Sequence, residues 1–291
     1  LSLQKVGDLY EVGIHIADVS FFVREGTALD EEARRRANSV YLVDRTIPML
    51  PEALSNNICS LRPNEDRLAY SAIFTMDKDA HIHSKWFGRT IINSGRRFTY
   101  EDAEEVIKTG VGDMAEEVKI LNSLSTKLKQ KRMKEGSISF ERDEIKVILD
   151  KDGKILDIVT KERLAAHMLV EDMMLLANRE VAVYLLDESK KHGGGVVYRI
   201  HEAPEAEKLA NLEDFIRSIG YNLKPLGSKS ADGVTARDLN RVLEEIKGKD
   251  EEGLIQTAIL RSMQKAIYST RNAGHFGLGF SHYTHFTSPI R

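Results

Sequence analysis

The sequence has a single cysteine, Cys59, so no internal disulfide can form, and no His/Cys cluster at metal spacing accompanies it. A reducing, cytoplasmic setting is expected. There is no run approaching the roughly 18 apolar residues that a membrane helix needs, and no charged-then-apolar leader, so no membrane partner is expected. An excess of one charge is also missing: 42 Lys+Arg stand against 45 Asp+Glu, a formal net charge of −3, which excludes a surface that is basic all over. Any basic patch must be local. Internal repeats, low-complexity runs, a G-x-S-x-G elbow, a P-loop and a dinucleotide fingerprint are all lacking. What is present is 291 residues, 42% of them hydrophobic, enough for a substantial core. The chain opens on Leu1 rather than Met, inside an alternating segment, and reads as part of a longer protein.

Periodicity divides the chain. LYEVGIHIADVSFFV (Leu9 to Val23) alternates as a half-buried strand and, with Leu1 and Leu3 across a Gly7-Asp8 turn, predicts a hairpin. TALDEEARRRAN predicts a helix capped by Thr27, and an extended SVYLVDRTIPMLP follows. Leu68 to Thr75 and His81 to Asn93 form a second predicted hairpin around DKDA. Helices are expected over Glu101 to Lys108 and Met114 to Lys134, then a third hairpin over ISFERDEIKVILDKDGKILDIVT. The second half predicts a long helix Arg163 to Leu186, a strand Val196 to Ile200, and helices over Ala206 to Ile219, Ala236 to Ile246 and Glu251 to Tyr268. KPLGSKSADGVT is the one linker-like stretch, too short to separate two domains. The economical reading is a single α+β domain, mostly antiparallel sheet packed with several helices.

Several constellations suggest chemistry, and most have plainer readings. His81 and His83 share a strand face beside a turn with no third ligand, and His282 and His285 point to opposite faces of an extended segment, so no metal ligands are assigned. The aspartate pairs of DKDA and DKDG lack the other oxygens of a calcium loop and read as turn residues. Glu171 falls on an apolar helical stripe with Leu164, Met168, Leu175 and Asn178, and a carboxylate there must find a donor or face a polar ligand. Either an arginine salt bridge or a ribose hydroxyl would serve. Tyr41, Tyr100 and Phe140 sit among polar residues in extended or turn contexts, where rings are either core or stacking platforms for bases. The terminal HFGLGFSHYTHFTSPIR has Gly274, Gly277 and Gly279 nearby or within it for close backbone approach, and Pro289 stiffening the presentation of Arg291. That guanidinium either ends a buried strand or forks a phosphate.

Taken together, GIHIADVSFFV, NSVYLVDRTIPMLPEALSNNICSLRPNEDRLAYS, GSISFE, LVEDMMLLAN, YRIHEAP, RSMQKAIYST and GHFGLGFSHYTHFTSPIR resemble the catalytic domain of the RNase II/RNase R (RNB) family. The blocks follow the family's order from end to end, and IADVS and YRIHE are closer to its RNase R branch. The resemblance implies processive 3′-to-5′ hydrolysis of single-stranded RNA to nucleoside 5′-monophosphates, with magnesium held by a cluster of aspartates. By position Arg291 matches the family's catalytic arginine. Tyr41 matches an aromatic at the cleavage end of the RNA channel and Phe140 its stacking counterpart, while Tyr100 and Glu171 match residues that hold RNA and tell ribose from deoxyribose.

In the family the metal-binding aspartates precede a segment ending Asp-Asp-Ala, and Leu1-Ser2-Leu3 resembles what comes next. The ligands are thus expected mostly upstream of Leu1, leaving the isolated fragment inactive, with Asp18 the one acid of the first hairpin able to approach them or, instead, to cap its neighbours. The resemblance implies a monomer whose cold-shock and S1 barrels carry further basic contacts, which would account for the charge of −3. A relative that binds RNA without cleaving it is the alternative.

Overall fold

In the computed structural model of the chain, the described residues are 1–138, 144–221 and 235–288. The KPLGSKSADGV stretch lies outside them. The fold is α+β, and the chain divides into two compact groups, residues 1–127, 142–177 and 286–291 in one, 128–141 and 178–285 in the other.

The first group is built on a four-stranded antiparallel sheet. β1 (Ser2–Val6) turns at Gly7, whose φ of +62° suits glycine, into β2 (Leu9–Ala17). The expected strand to Val23 stops at Ala17 because the Asp18 carboxylate accepts the Phe21 N–H and opens a short helix, α1 (Val19–Phe22). Thr27 caps α2 (Ala28–Arg36) as its sequence predicts. The extended SVYLVDRTIPMLP narrows to two two-residue strands, β3 (Val40–Tyr41) and β4 (Thr46–Ile47), and a π-helical turn follows at Ala53–Ile58. β5 (Asp66–Met76) and β6 (Ile82–Asn93) complete the sheet in the order β1-β2-β5-β6. Register places Val12 opposite Phe74 and Ile14 opposite Ala72, all buried, so one face of β2 and β5 forms the core.

The other face of the sheet carries a polar chain across all four strands. Ser2 Oγ lies 2.9 Å from His15 Nε2, His15 Nδ1 lies 2.7 Å from Ser71 Oγ, and Ser71 Oγ lies 2.5 Å from Thr90 Oγ1. Gly13 sits opposite Ser2, and a Cβ there would stand 2.6 Å from His15 Nε2, so a side chain would have to displace the Ser2–His15 contact. Burial pushes the His15 imidazole down to about 4.

Both aspartate pairs are turn residues. Asp77 Oδ1 accepts the N–H groups of Asp79 and His81, and Asp150 Oδ1 those of Asp152 and Lys154, the same Asx arrangement twice. α3 (Tyr100–Thr109) and α4 (Ala115–Glu135) follow the sheet, and α4 is not wholly solvent-facing, since Val118, Leu121 and Leu124 are buried. β7 (Glu144–Leu149) and β8 (Ile155–Lys161) form a separate hairpin. α5 (Ala165–His192) runs six residues beyond the Leu186 expected, an end that no proline or glycine enforces earlier.

In the second group β9 (Tyr198–Ile200) pairs antiparallel with β10 (Ile267–Ser269). Between them α6 (Ala206–Ser218), α7 (Ala236–Ile246) and α8 (Glu252–Ser262) pack around Leu212, Ile216, Leu239, Val242, Ile255 and Ile259. The helix expected to reach Tyr268 ends at Ser262, because Ile267 to Ser269 take their hydrogen bonds from β9 instead.

Candidate functional site

Tyr100 is the first residue of α3, and a capping box fixes it there. Thr99 Oγ1 accepts the Asp102 N–H at 3.0 Å, and Asp102 Oδ2 accepts the Thr99 N–H at 3.4 Å. One turn on, and therefore on the same face, Glu104 is 8% exposed. Its Oε2 accepts the Ala166 N–H at 3.0 Å, and its Oε1 pairs with Lys108 at 3.3 Å. Burial raises the Glu104 pKa, but the N–H groups of Ala166 and Ala165 and the Lys108 ammonium outweigh it and hold the carboxyl below its ordinary value. A carboxylate from α3 thus satisfies orphan donors at the N-terminus of α5.

That clamp sets the two helices so that their next residues meet. Leu164 precedes α5 and gives its C=O to Met168 N–H; in return His167 Nδ1 accepts the Leu164 N–H at 3.2 Å. The ring of His167 stacks on Tyr100 with centroids 4.1 Å apart and planes at 23°. His167 and Glu171 lie four residues apart on one face of α5, and Arg163 sits just before the helix. Arg163 Nη2 donates to Glu171 Oε2 at 2.6 Å. Beside this junction a cavity of about 760 Å³ is lined by Arg97, Phe98, Tyr100, Ala103, Leu169 and Val170 among others. Among the described residues Arg97 makes no ion pair.

The expectation for Glu171 needs correction. Its side chain is 45% exposed and held by Arg163, so it is not a carboxylate buried on an apolar stripe. The face of α5 that is buried carries Ala166, Leu169, Met173 and Leu176, and the acid within it is Asp172, 3% exposed and accepting the Ser125 hydroxyl at 3.0 Å. Tyr100 is 45% exposed, one ring face against His167. Tyr41 is 78% exposed and, among the described residues, packs against no other ring. Phe140 and Arg291 lie outside the described residues. Reading the sequence passed over His167, Glu104 and Arg97; the signal for His167 was its place at the third position of a helix, three residues after the cap, where an acceptor is wanted.

Asp18 takes the capping role. It is buried, accepts the Ser20 hydroxyl at 2.6 Å and pairs with Arg89 Nε at 3.0 Å. Among the described residues no three His, Cys, Asp or Glu side chains are grouped to hold a metal ion, so these residues do not fit a magnesium site. Nor, among them, is any helix long and apolar enough to cross a membrane.

The glycine-rich terminal stretch lines a second cavity of about 610 Å³ with His201, Ala203 and Thr235. Gly279, φ +66°, lets Ser137 N approach to 3.0 Å of where a Cβ would be. The rings of His201, His275 and Tyr283 meet edge to face at 5.0 and 5.2 Å, and among the described residues the buried His275 Nδ1 has no hydrogen-bond partner. Burial and the neighbouring His201 push His275 down to about 4.

Relatives share this scaffold. The chain is 39% identical to Ribonuclease R of Aquifex aeolicus over 97% of its length, and 40% identical to Ribonuclease R of Thermotoga maritima over 97%. It spans 40% and 39% of those proteins, about two fifths of the curated relatives it matches. Mycoplasma genitalium RNase R, solved in complex with ribose methylated single-stranded RNA, superposes with a TM-score of 0.90 at 28% identity, covering 99% of this chain and 45% of that one. The model of the RNB domain matches residues 1–291, and the chain belongs to the RNB family.

Proposed function

We propose that the protein is a processive 3′-to-5′ exoribonuclease acting on single-stranded RNA, a cytoplasmic monomer in which residues 1–291 are part of the catalytic domain. The observation that carries this is a half-exposed tyrosine stacked on His167, four residues before an arginine-held glutamate on the same helix, on the scaffold that, in the Mycoplasma genitalium relative, is solved with single-stranded RNA. On this reading the outer face of Tyr100 holds the strand, and Glu171 accepts a hydrogen bond from a 2′-hydroxyl, a donor that DNA lacks. Tyr41 and Phe140 stack the terminal bases.

Water attacks the last phosphodiester, the bond to the preceding 3′-oxygen breaks, that oxygen takes the proton, and a nucleoside 5′-monophosphate leaves. Arg291 offsets the charge that builds on the phosphoryl oxygens. Magnesium is proposed as the cofactor, held by aspartates outside the described residues. The test is to incubate the full-length protein with 3′-tailed RNA with and without magnesium. Mononucleotides should be released only with the ion, and Arg291→Ala should slow release by about 10²-fold or more. Undiminished activity in that variant would remove Arg291 from the chemistry.

A further inference from the structure

We propose that His167 is a positioning residue for ribose recognition, fixing the ring of Tyr100 beside Glu171; this rests on the RNA-binding reading of Tyr100 and Glu171. At the third residue of α5, a side-chain acceptor is needed for the N–H of Leu164, the task that Glu or Gln performs in an ordinary capping box. Imidazole performs it through Nδ1, which therefore carries no proton, and the bond removes the ring's freedom to rotate. The flat face so fixed is the one on which Tyr100 stacks at 4.1 Å.

A glutamine at this position could cap the helix but would offer no platform. A phenylalanine could offer the platform but would not be tied to the backbone. Histidine does both. The backbone around it is also held from the other side, since Glu104 binds the Ala166 N–H while sitting one turn from Tyr100 on α3. The Tyr100 ring is thereby referenced to the turn of α5 just before the one that presents Glu171, four residues on from His167. Arg163 completes the arrangement by engaging Oε2 of Glu171; among the described residues it is that carboxylate's sole polar partner, and the side chain is half exposed. Ring and carboxylate are then held at a set spacing before any strand arrives, which is the condition for reading one hydroxyl group.

Two substitutions in the full-length protein separate positioning from capping. The readout is the ratio of kcat/KM for an RNA oligonucleotide over the same oligonucleotide with 2′-deoxy residues at its 3′ end. For His167→Gln, which keeps an acceptor, the thermal midpoint should stay near wild type while the ratio falls about five- to tenfold, to the level of Tyr100→Ala. The double variant should fall no further, because His167 acts through Tyr100. A Gln variant with the wild-type ratio, or a double variant with multiplied losses, overturns the proposal. If the Gln variant loses cooperative unfolding, His167→Phe carries the test: its ratio should lie below wild type, and a wild-type ratio overturns the proposal. A wild-type protein that releases no mononucleotides, or a Tyr100→Ala variant with an unchanged ratio, defeats instead the underlying reading of Tyr100, and the proposal with it.

Discussion

Substituting Glu104 by Gln tests whether the junction between α3 and α5 is held by charge. The carboxylate accepts the Ala166 N–H at 3.0 Å and meets Lys108 at 3.3 Å while 8% exposed. Hydrogen bonds to a charged group contribute about 1.5–3 kcal/mol, and a negative charge at a helix N-terminus roughly 0.3–1 kcal/mol more. Gln keeps one acceptor oxygen and loses the charge, so the expected cost is about 1–2 kcal/mol, a fall of roughly 2–4 °C in Tm for a chain of this size. The sign with pH follows from the lowered folded pKa. Stabilisation from Glu104 is complete above the pKa of the unfolded chain and is lost as pH falls through the folded value. The Gln variant should therefore lose less stability on acidification below pH 5 than wild type. Urea unfolding of both proteins at pH 7 and pH 4, with hydrogen exchange at Ala165 and Ala166, measures all three. Equal midpoints at pH 7 and parallel acid limbs would refute the claim that a carboxylate anchors α5.

Two further perturbations probe the polar chain across the sheet. His15 is held neutral to about pH 4 by burial, whereas the unfolded chain takes up a proton near 6.5, so stability should fall as pH drops between those values, by up to about 2 kcal/mol after solvent screening; His15→Asn should flatten that slope, and identical slopes would contradict the assignment. Gly13→Ala places a methyl 2.6 Å from His15 Nε2 and should cost about 2 kcal/mol in urea unfolding, by overpacking and by breaking the bond to Ser2; a neutral substitution would show that the sheet yields there.

What the sequence disclosed was mainly local. Thr27 caps its helix as expected and both DKD turns close on their first aspartate, because caps and turns are decided within four or five residues; Thr99 and Thr235 carry the same signal, an aspartate three residues on, and were passed over. The end of β2 was missed although its cause was equally local: Asp18 followed by two positions before Phe21 is a cap signal that the alternation of VSFFV masked. The end of α8 was missed for another reason. Ile267 to Ser269 are strand only because Tyr198 to Ile200, nearly seventy residues earlier, offer them hydrogen bonds, and helical periodicity has no access to that offer. The same limit hid the meeting of Glu104 with Ala166 and of Tyr100 with His167, contacts between residues more than sixty positions apart.

Glu171 shows how a right periodicity can carry the wrong phase. Residues 164 to 178 are apolar nearly all round a helix, so 164, 168, 171, 175 and 178 form one acceptable stripe and 166, 169, 173 and 176 another; the spacing alone does not choose between them. Packing buries the second together with Leu175 and Asn178 of the first, leaving Glu171 half exposed against Arg163 and turning Asp172, one position further around the helix, inward to Ser125. The consequence bears on function. A carboxylate sealed in the core must have its acceptors satisfied by protein groups, and a strand cannot reach it without opening the fold. A half-exposed carboxylate left free would rotate and meet a hydroxyl in many orientations, each at an entropic cost on binding. Glu171 avoids both conditions, with one oxygen fixed by a guanidinium and its side chain half exposed, so on the proposed reading its exposure is what allows it to test each sugar for a 2′-hydroxyl.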